Sequence, residues 1–557
     1  MAAPTVQSLL DRAIHAHRQG EDDAALSLYE QVIKADPINP SANSNLAIIL
    51  RRQGQIQRAS VCLQRAILVS PRLAAGYNNL GNLLRENGYR DKAPDQNKRC
   101  IILSPLYAEG LNNLGLSMPD TDPKPRIQVY HKSLILKPDY PEGWLNLANV
   151  CGANRQTMTD PTPGRYYRRT LLLNPTYPTA VSSYGVHLAS IGHLSEATRL
   201  QEEAIKLDPK YEEAYFNLAL YYLLAGRYHE GFSLYEHGIG GRSADAKRGH
   251  RRRVGQPRWN GEPLAGKTIL VTAEQGVGDE IMFCTVLPEL IRRAKHVFLE
   301  STPRLAPIMR RSFPRATIFT YNPGNPSPLL GDRRIDFSVP LGSLPLYFRK
   351  ALADFGKQRP YAVPKASMAR HFRQKYKSMF PGKLLVGFSW RGGSGLLRSR
   401  TRSLDQTSFE TLLSNDRVQA ISLQYGVKEE EKAWFENESR TNFFYDDSVE
   451  PLESMDLAMA QIAAMDIVIS VTNAAVHCAG ALGVPCWILV PHISDWRWTW
   501  GRTDVPWYPG MRSYRQASVG DWETPLTQIR RDLAVFLSEG KGLKSEPATD
   551  MDWRGEL

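Results

Sequence analysis

PRLAAGYNNLGNLLRENGYRDKAPDQNKRCIILSP, residues 71–105, begins and ends on proline and holds the two halves of a helical hairpin between them. Leu80 and Gly81 fall in the first predicted helix, Gly88 in the turn and Ala93 in the second helix, which Pro105 stops. One period earlier the same places are taken by Leu46 and Ala47, Gly54, Ala59 and Pro71. The prolines mark the period. Pro37, Pro71 and Pro105 are 34 residues apart, Pro138 follows at 33, Pro175 at 37 and Pro209 at 34. Small residues at the helix crossing let two helices approach, and proline ends the second because it lacks an N–H and clashes with the preceding turn. The uneven spacings predict loops around Pro119 to Pro125 and Thr157 to Pro163.

This framework resembles the tetratricopeptide repeat over about residues 4 to 238, six to seven units. The expected arm, residues 1–238, is an all-α superhelix with a concave groove. Asn45, Asn79, Asn113, Asn146 and Asn217 occupy one place in successive units, with Ser183 breaking the series. A carboxamide both donates and accepts, so such a row can pair the backbone of an extended peptide without reading its side chains. Asparagine is also common at that place in the general repeat pattern, and both readings stay open.

Away from the repeats, 557 residues are too many for one core, so several domains are expected. A net charge of +12 raises nucleic acid as a ligand, but the charge is diffuse. Its densest run, Lys247 to Arg253, sits in a joint over residues 239–262 that reads as a solvated linker. The six cysteines contain no Cys-x-x-Cys, which argues against a zinc site or a disulfide framework. No apolar run of spanning length and no signal-peptide core is seen, so the expectation is a soluble cytoplasmic protein with no membrane span and no nucleic-acid partner.

Beyond the joint the pattern changes to short apolar runs alternating with helices, as in parallel α/β sheets. Predicted strands are Lys267 to Ala273, His296 to Glu300, Leu384 to Ser389, Val418 to Leu423, Asp466 to Ser470 and Pro485 to Val490. A proline-containing joint near Arg359 to Lys365 divides them into lobes over residues 263–358 and 359–540, followed by a tail over 541–557. Two Rossmann-like lobes with a ligand cleft at the carboxyl ends of their strands are expected.

Three motifs follow strands. In Ala273-Glu274-Gln275-Gly276-Val277-Gly278-Asp279-Glu280 the glycines predict a tight turn that sets Asp279 at a helix N-terminus. There it is either a general base for an acceptor hydroxyl or a plain helix cap. Ile281 rules out a dinucleotide fingerprint. In Gly387-Phe388-Ser389-Trp390-Arg391-Gly392-Gly393, trailed by Arg398, Arg400 and Arg402, guanidinium forks and close-approaching backbone suit a phosphate, so Ser389, Arg391, Gly392 and Arg400 are either donor-binding or part of a solvated basic loop. In the run from Asp466 to His477, the residues Thr472, Asn473 and Ala474 stand where free N–H groups bind anions, with His477 a turn further in.

Together these motifs resemble the heptosyltransferase-like group of GT-B glycosyltransferases across roughly residues 256 to 540. The resemblance implies Asp279 as catalytic base, Thr472, Asn473, Ala474 and His477 as donor ligands, and Gln424 near the nucleoside. Many members carry Asp-Thr where this chain has Thr472-Asn473. Repeats joined to such a domain look like the bacterial flagellin glycosyltransferases, which use an activated nonulosonic acid such as pseudaminic acid. That implies a protein O-glycosyltransferase, inverting, acting on Ser or Thr of a flagellin-like acceptor recruited by the repeats. The alternatives are a lipid or polysaccharide acceptor, and a non-catalytic adaptor with a degenerate GT-B domain. No cofactor or metal is expected: Asp120-Thr121-Asp122 lies in a repeat loop, and the Asp446-Asp447 pair alone does not define a metal site. The aromatic and basic segment Pro491 to Gln516, with Asp495, Trp496, Arg497, Trp498, Trp507, Tyr508 and Arg512, either stacks on a ligand or packs the lobes.

Overall fold

A computed structural model describes residues 5–154, 160–239, 254–274, 276–322, 324–392, 402–437 and 442–539. It divides into two compact units, Met1–His187 and Leu188–Leu557.

The first unit is helical hairpins, beginning with Val6–Arg18 and Asp22–Ala35. The turn glycines Gly54 and Gly88 have φ of 74° and 85°, a conformation that a Cβ would strain. Ala59 and Ala93, at the same place in successive second helices, are fully buried. Gly81 cannot carry a side chain, because a Cβ there would lie 2.1 Å from Asn97 Oδ1. The irregular repeats depart from expectation in one respect. Pro123 and Pro125 lie in the first turn of the helix Pro123–Leu136, and Pro163 in that of Thr162–Leu173, not in loops. A first-turn N–H has no partner within the helix, so proline loses nothing there. Residues 157–159 of the second irregular stretch lie outside the described residues.

The second unit opens with three more repeat helices, Leu194–Leu207, Glu212–Leu224 and Tyr228–Tyr235. The sequence puts the end of the arm at residue 238, whereas these helices belong to the same compact unit as the sheets. Aromatic packing is the reason. Phe232 and Tyr235 stand 6.2 and 5.7 Å, centroid to centroid, from Trp496, Tyr228 lies 4.7 Å from Phe355, and the Tyr228 hydroxyl meets Thr499 Oγ1 at 2.9 Å.

Two parallel sheets follow. The first has the order β3-β2-β1-β4, with β1 Thr268–Thr272, β2 His296–Ser301, β3 Thr317–Thr320 and β4 Phe337–Pro340. The second has the order β10-β9-β8-β5-β6-β7, with β5 Leu384–Ser389, β6 Val418–Ser422, β7 Phe443–Phe444, β8 Ile467–Val471, β9 Cys486–Val490 and β10 Arg512–Arg515. All six predicted strands are present, and β3, β4, β7 and β10 are additional. Chain order reverses between β1 and β4 and again between β5 and β8, where Ser389 pairs in register with Ser470. At such reversals the connections leave in opposite directions and open a crevice at the carboxyl ends of the strands. The motif after β1 and those after β5 and β8 all lie at these reversals. All six cysteines are free thiols. Among the described residues no helix is long and apolar enough to cross a membrane.

Candidate functional site

The loops after β5, β6 and β8 are tied together by two carboxamides. Gln424, buried just beyond β6, accepts through Oε1 from Ser389 Oγ (2.9 Å), Trp390 N (3.2 Å) and Arg391 N (2.9 Å), and donates through Nε2 to Tyr425 O (3.1 Å). Asn473 caps the helix Ala474–Leu482 by accepting from Ala475 N at 3.0 Å, and its Nδ2 donates to Ser389 Oγ (2.6 Å) and Arg391 O (3.1 Å). An aspartate at 473 could cap the helix but could donate to neither group. Asn473 therefore stitches β8 to the β5 loop as well as capping the helix. Gly392 lets the loops close: a Cβ there would stand 3.2 Å from Thr472 O.

Read from sequence, Ser389, Arg391 and Asn473 bind the donor and Gln424 lies near its nucleoside. Here their side chains also engage the protein. Arg391 directs Nη2 to Gly426 O at 2.6 Å and pairs with Glu431 at 3.3 Å. Thr472 differs: its Oγ1 is buried and finds no hydrogen-bond partner among the described residues. It precedes the nine-residue helix Ala474–Leu482, whose first-turn amides carry the positive end of the helix dipole. A buried hydroxyl beside such a terminus has the chemistry of an anion site. Arg400 lies outside the described residues.

Asp279 stands in the first turn of the helix Val277–Phe283, whose N-cap is Gly276, so Asp279 is not the cap. Neither glycine of its motif adopts a positive φ. Gly278 is there for room, since a Cβ would meet His477 Cδ2 at 3.0 Å. The turn after β1 and the helix after β8 are thus in contact. Asp279 Oδ1 accepts from Arg497 Nε at 2.7 Å and also from Nη2. Arg497 pairs in turn with Asp495 (3.5 Å), and Asp495 with Arg402 (3.1 Å). Burial pushes the Arg497 guanidinium down, but Asp279 and Asp495 outweigh it and hold the side chain charged. Burial pushes Asp495 up, while Arg497 and Arg402 bring it down to about 2.

His477 lies beside this chain of charges. Burial first, and Arg497 second, lower its pKa to about 4, so the ring is neutral at neutral pH. Nδ1 meets the Tyr508 hydroxyl at 2.9 Å. The segment around Trp496 resolves its two readings in part: Trp496 and Trp507 are buried and pack among Phe232, Phe283 and Phe355, whereas Arg497 and Tyr508 reach the two motifs. Sequence reasoning noticed these residues but not their partners, because no local spacing links position 497 to position 279.

In the first unit the asparagine row pairs with the residues that precede its members in the neighbouring repeat. Asn79 Nδ2 donates to Ser44 Oγ (3.3 Å), Asn113 Nδ2 to Asn78 Oδ1 (2.9 Å) and Asn146 Nδ2 to Asn112 Oδ1 (2.9 Å). Each bond crosses from one repeat to the one before it. Asn45 hydrogen-bonds Tyr29. Part of the row's capacity is therefore used in stacking repeats, and all four side chains remain partly exposed. Asn217, on Glu212–Leu224, belongs to the second unit. Asp122 caps the helix Pro123–Leu136, and Asp446 is engaged by Lys375, Tyr376 and Ser448.

Tetratricopeptide-repeat family models match residues 16–79 and 200–231. Protein FlbA of Caulobacter vibrioides is 26% identical over 452 residues, which span 72% of this chain and 74% of that protein. That share exceeds the repeat-bearing residues, so the likeness continues into the α/β part. Among solved structures, a tetratricopeptide repeat protein from Parabacteroides merdae is 16% identical, with a TM-score of 0.36, covering 43% of this chain and 94% of its own. PilF of Pseudomonas aeruginosa is 19% identical, with a TM-score of 0.32, covering 37% and 92%. The chain carries tetratricopeptide repeats, followed by a region of parallel sheets.

Proposed function

We propose that this chain is a protein O-glycosyltransferase of GT-B type, moving a sugar from a nucleotide donor to a Ser or Thr hydroxyl of a polypeptide recruited by the repeats. One observation carries the reading. Asp279, after β1, and the N-terminus of Ala474–Leu482, after β8, meet through Gly278 and His477 where chain order reverses in two parallel sheets. Such reversals are where α/β proteins bind ligands.

In this reading the donor's leaving phosphate takes the Thr472 hydroxyl and the first-turn amides, whose dipoles stabilise the charge that develops as the nucleotide departs. The acceptor hydroxyl gives its proton to Asp279 as its oxygen attacks the anomeric carbon, inverting it. Arg497 holds the Asp279 carboxylate in place through Oδ1. Neutral His477 keeps a second positive charge away from the carboxylate. The partly exposed Asn79, Asn113 and Asn146 would accept from and donate to an acceptor's backbone. A flagellin-like protein and a nonulosonic acid are the acceptor and donor that family resemblance favours.

A non-catalytic adaptor is the second reading, and the Asp279–Arg497 pair favours it, because Arg497 occupies Oδ1 of the carboxylate. Intact-mass spectrometry of flagellin from cells with the gene, without it, and with Asp279→Asn separates the two. Catalysis predicts a sugar-sized mass lost at each modified hydroxyl in the deletion, and loss of transfer by about 100-fold or more in Asp279→Asn. Unchanged masses in the deletion would overturn the transferase; wild-type modification by Asp279→Asn would overturn the base.

A further inference from the structure

Leu68, Ile102, Ile135 and Leu172 occupy one position, three residues before the closing proline, in four consecutive repeats. They are 80, 68, 77 and 75% exposed, so they contribute almost nothing to the core of the arm. The repeat framework does not require an aliphatic residue there, since the first repeat has Lys34 and the sixth Lys206. Single exposed aliphatics are ordinary, but a row repeating along one face is not.

A second row runs beside it. Three residues earlier on the same helices, hence on the same face, stand Arg65, Arg99, Lys132 and Arg169. All four are exposed, and none is in an ion pair among the described residues. This row also stops at both ends: the first repeat has Gln31, and the sixth has Glu203, which pairs with Arg199. An aliphatic residue with an unpaired cation one turn before it thus occurs in four adjacent repeats and is absent from those flanking them.

We propose that this outer face docks an acidic polypeptide segment, its aliphatic side chains meeting the apolar row and its carboxylates the cationic row. The site is separate from the groove and from the sheet reversals, and it does not rest on the activity proposed above. Charge selects the occupant. A second copy laid on the same face would set cations against cations. A planar anionic membrane touches a curved stack over a short arc, whereas contacts spaced one per repeat follow its winding, as a chain molecule does.

The test uses the full-length chain and a fluorescein-labelled synthetic peptide with leucines spaced among glutamates, read by anisotropy. Two variants are compared with it. One replaces Leu68, Ile102, Ile135 and Leu172 with glutamine, which removes the apolar row without adding charge; the other changes Arg65, Arg99, Lys132 and Arg169 to glutamate. The expected result is binding that weakens about tenfold or more in each variant, with unchanged circular dichroism and melting temperature. An all-glutamate peptide should bind the wild type more weakly than the leucine-containing one. Equal affinity for wild type and both variants overturns the proposal. So does binding of phosphatidylglycerol vesicles but not peptide, and so does a dimer in sedimentation that only the variants lose.

Discussion

The crevice between β5 and β8 and the turn after β1 lie at equivalent places in their sheets and are held by opposite means. Neutral amides fix the first. Gln424 and Asn473 satisfy Ser389, the loop amides and the helix start without burying a charge. A row of alternating charges fixes the second, from Asp279 through Arg497 and Asp495 to Arg402. Amide networks hold one geometry because every donor and acceptor is directional. A charge can exchange one partner for another of the same sign, because attraction between charges is not directional. The first region therefore suits a frame and the second a place where charge moves.

Three measurements break or sharpen this contrast. The largest effect is expected at Asp279→Ala, which leaves Arg497 without its closest partner. Removing one member of this partly buried pair leaves the other charge without its partner, so a clear fall in denaturant midpoint should appear even without substrate. A change within error would mean that solvent or Asp495 already satisfies Arg497.

The second concerns acid. His477 has its folded pKa lowered to about 4 from the ordinary 6.5 of a free imidazole, so the unfolded chain binds the proton more readily. Stability is then fully present above pH 6.5 and is lost as pH falls towards 4, by roughly 3 kcal/mol in all. His477→Gln should flatten the part of the unfolding free energy that depends on pH in that window. A slope unchanged by the substitution would place the titrating group elsewhere.

The smallest belongs to the amide frame. Asn473→Asp keeps the helix cap but withdraws the donors to Ser389 Oγ and Arg391 O, at about 1–3 kcal/mol. Thermal melting of this variant against Asn473→Ala distinguishes the two roles, since alanine removes the cap as well. If aspartate is as stable as asparagine, the stitching of β8 to the β5 loop contributes nothing.

Legibility followed the range of the interactions. The turn glycines Gly54 and Gly88 and the buried Ala59 and Ala93 stood out because each repeat is a local unit, copied at nearly constant spacing. The strands that were foreseen carry dense apolar runs, as in β5 and β8, while β3, β7 and β10 are short, two to four residues, and too brief to show a period. The motifs after β1, β5 and β8 were visible as glycine-containing breaks. The roles within them were not. Gly278 reads as a turn residue until His477 is found against it, and the three donors on the Gln424 oxygen come from a loop more than thirty residues away.

By itself the sequence determined the repeat arm, the change to parallel α/β structure, and the three loops on which chemistry would be sought. Each of these depends on residues within a few turns of one another, where spacing dictates which side chains share a face. Only the tertiary structure decided that the last repeat helices join the α/β unit, that Arg497 meets Asp279, and that Asn473 links β8 to the β5 loop. Those contacts join residues 84 to 218 positions apart, or more. Strand order, not sequence spacing, brings such residues together, and a hydrogen bond or ion pair has meaning only once both partners are in place.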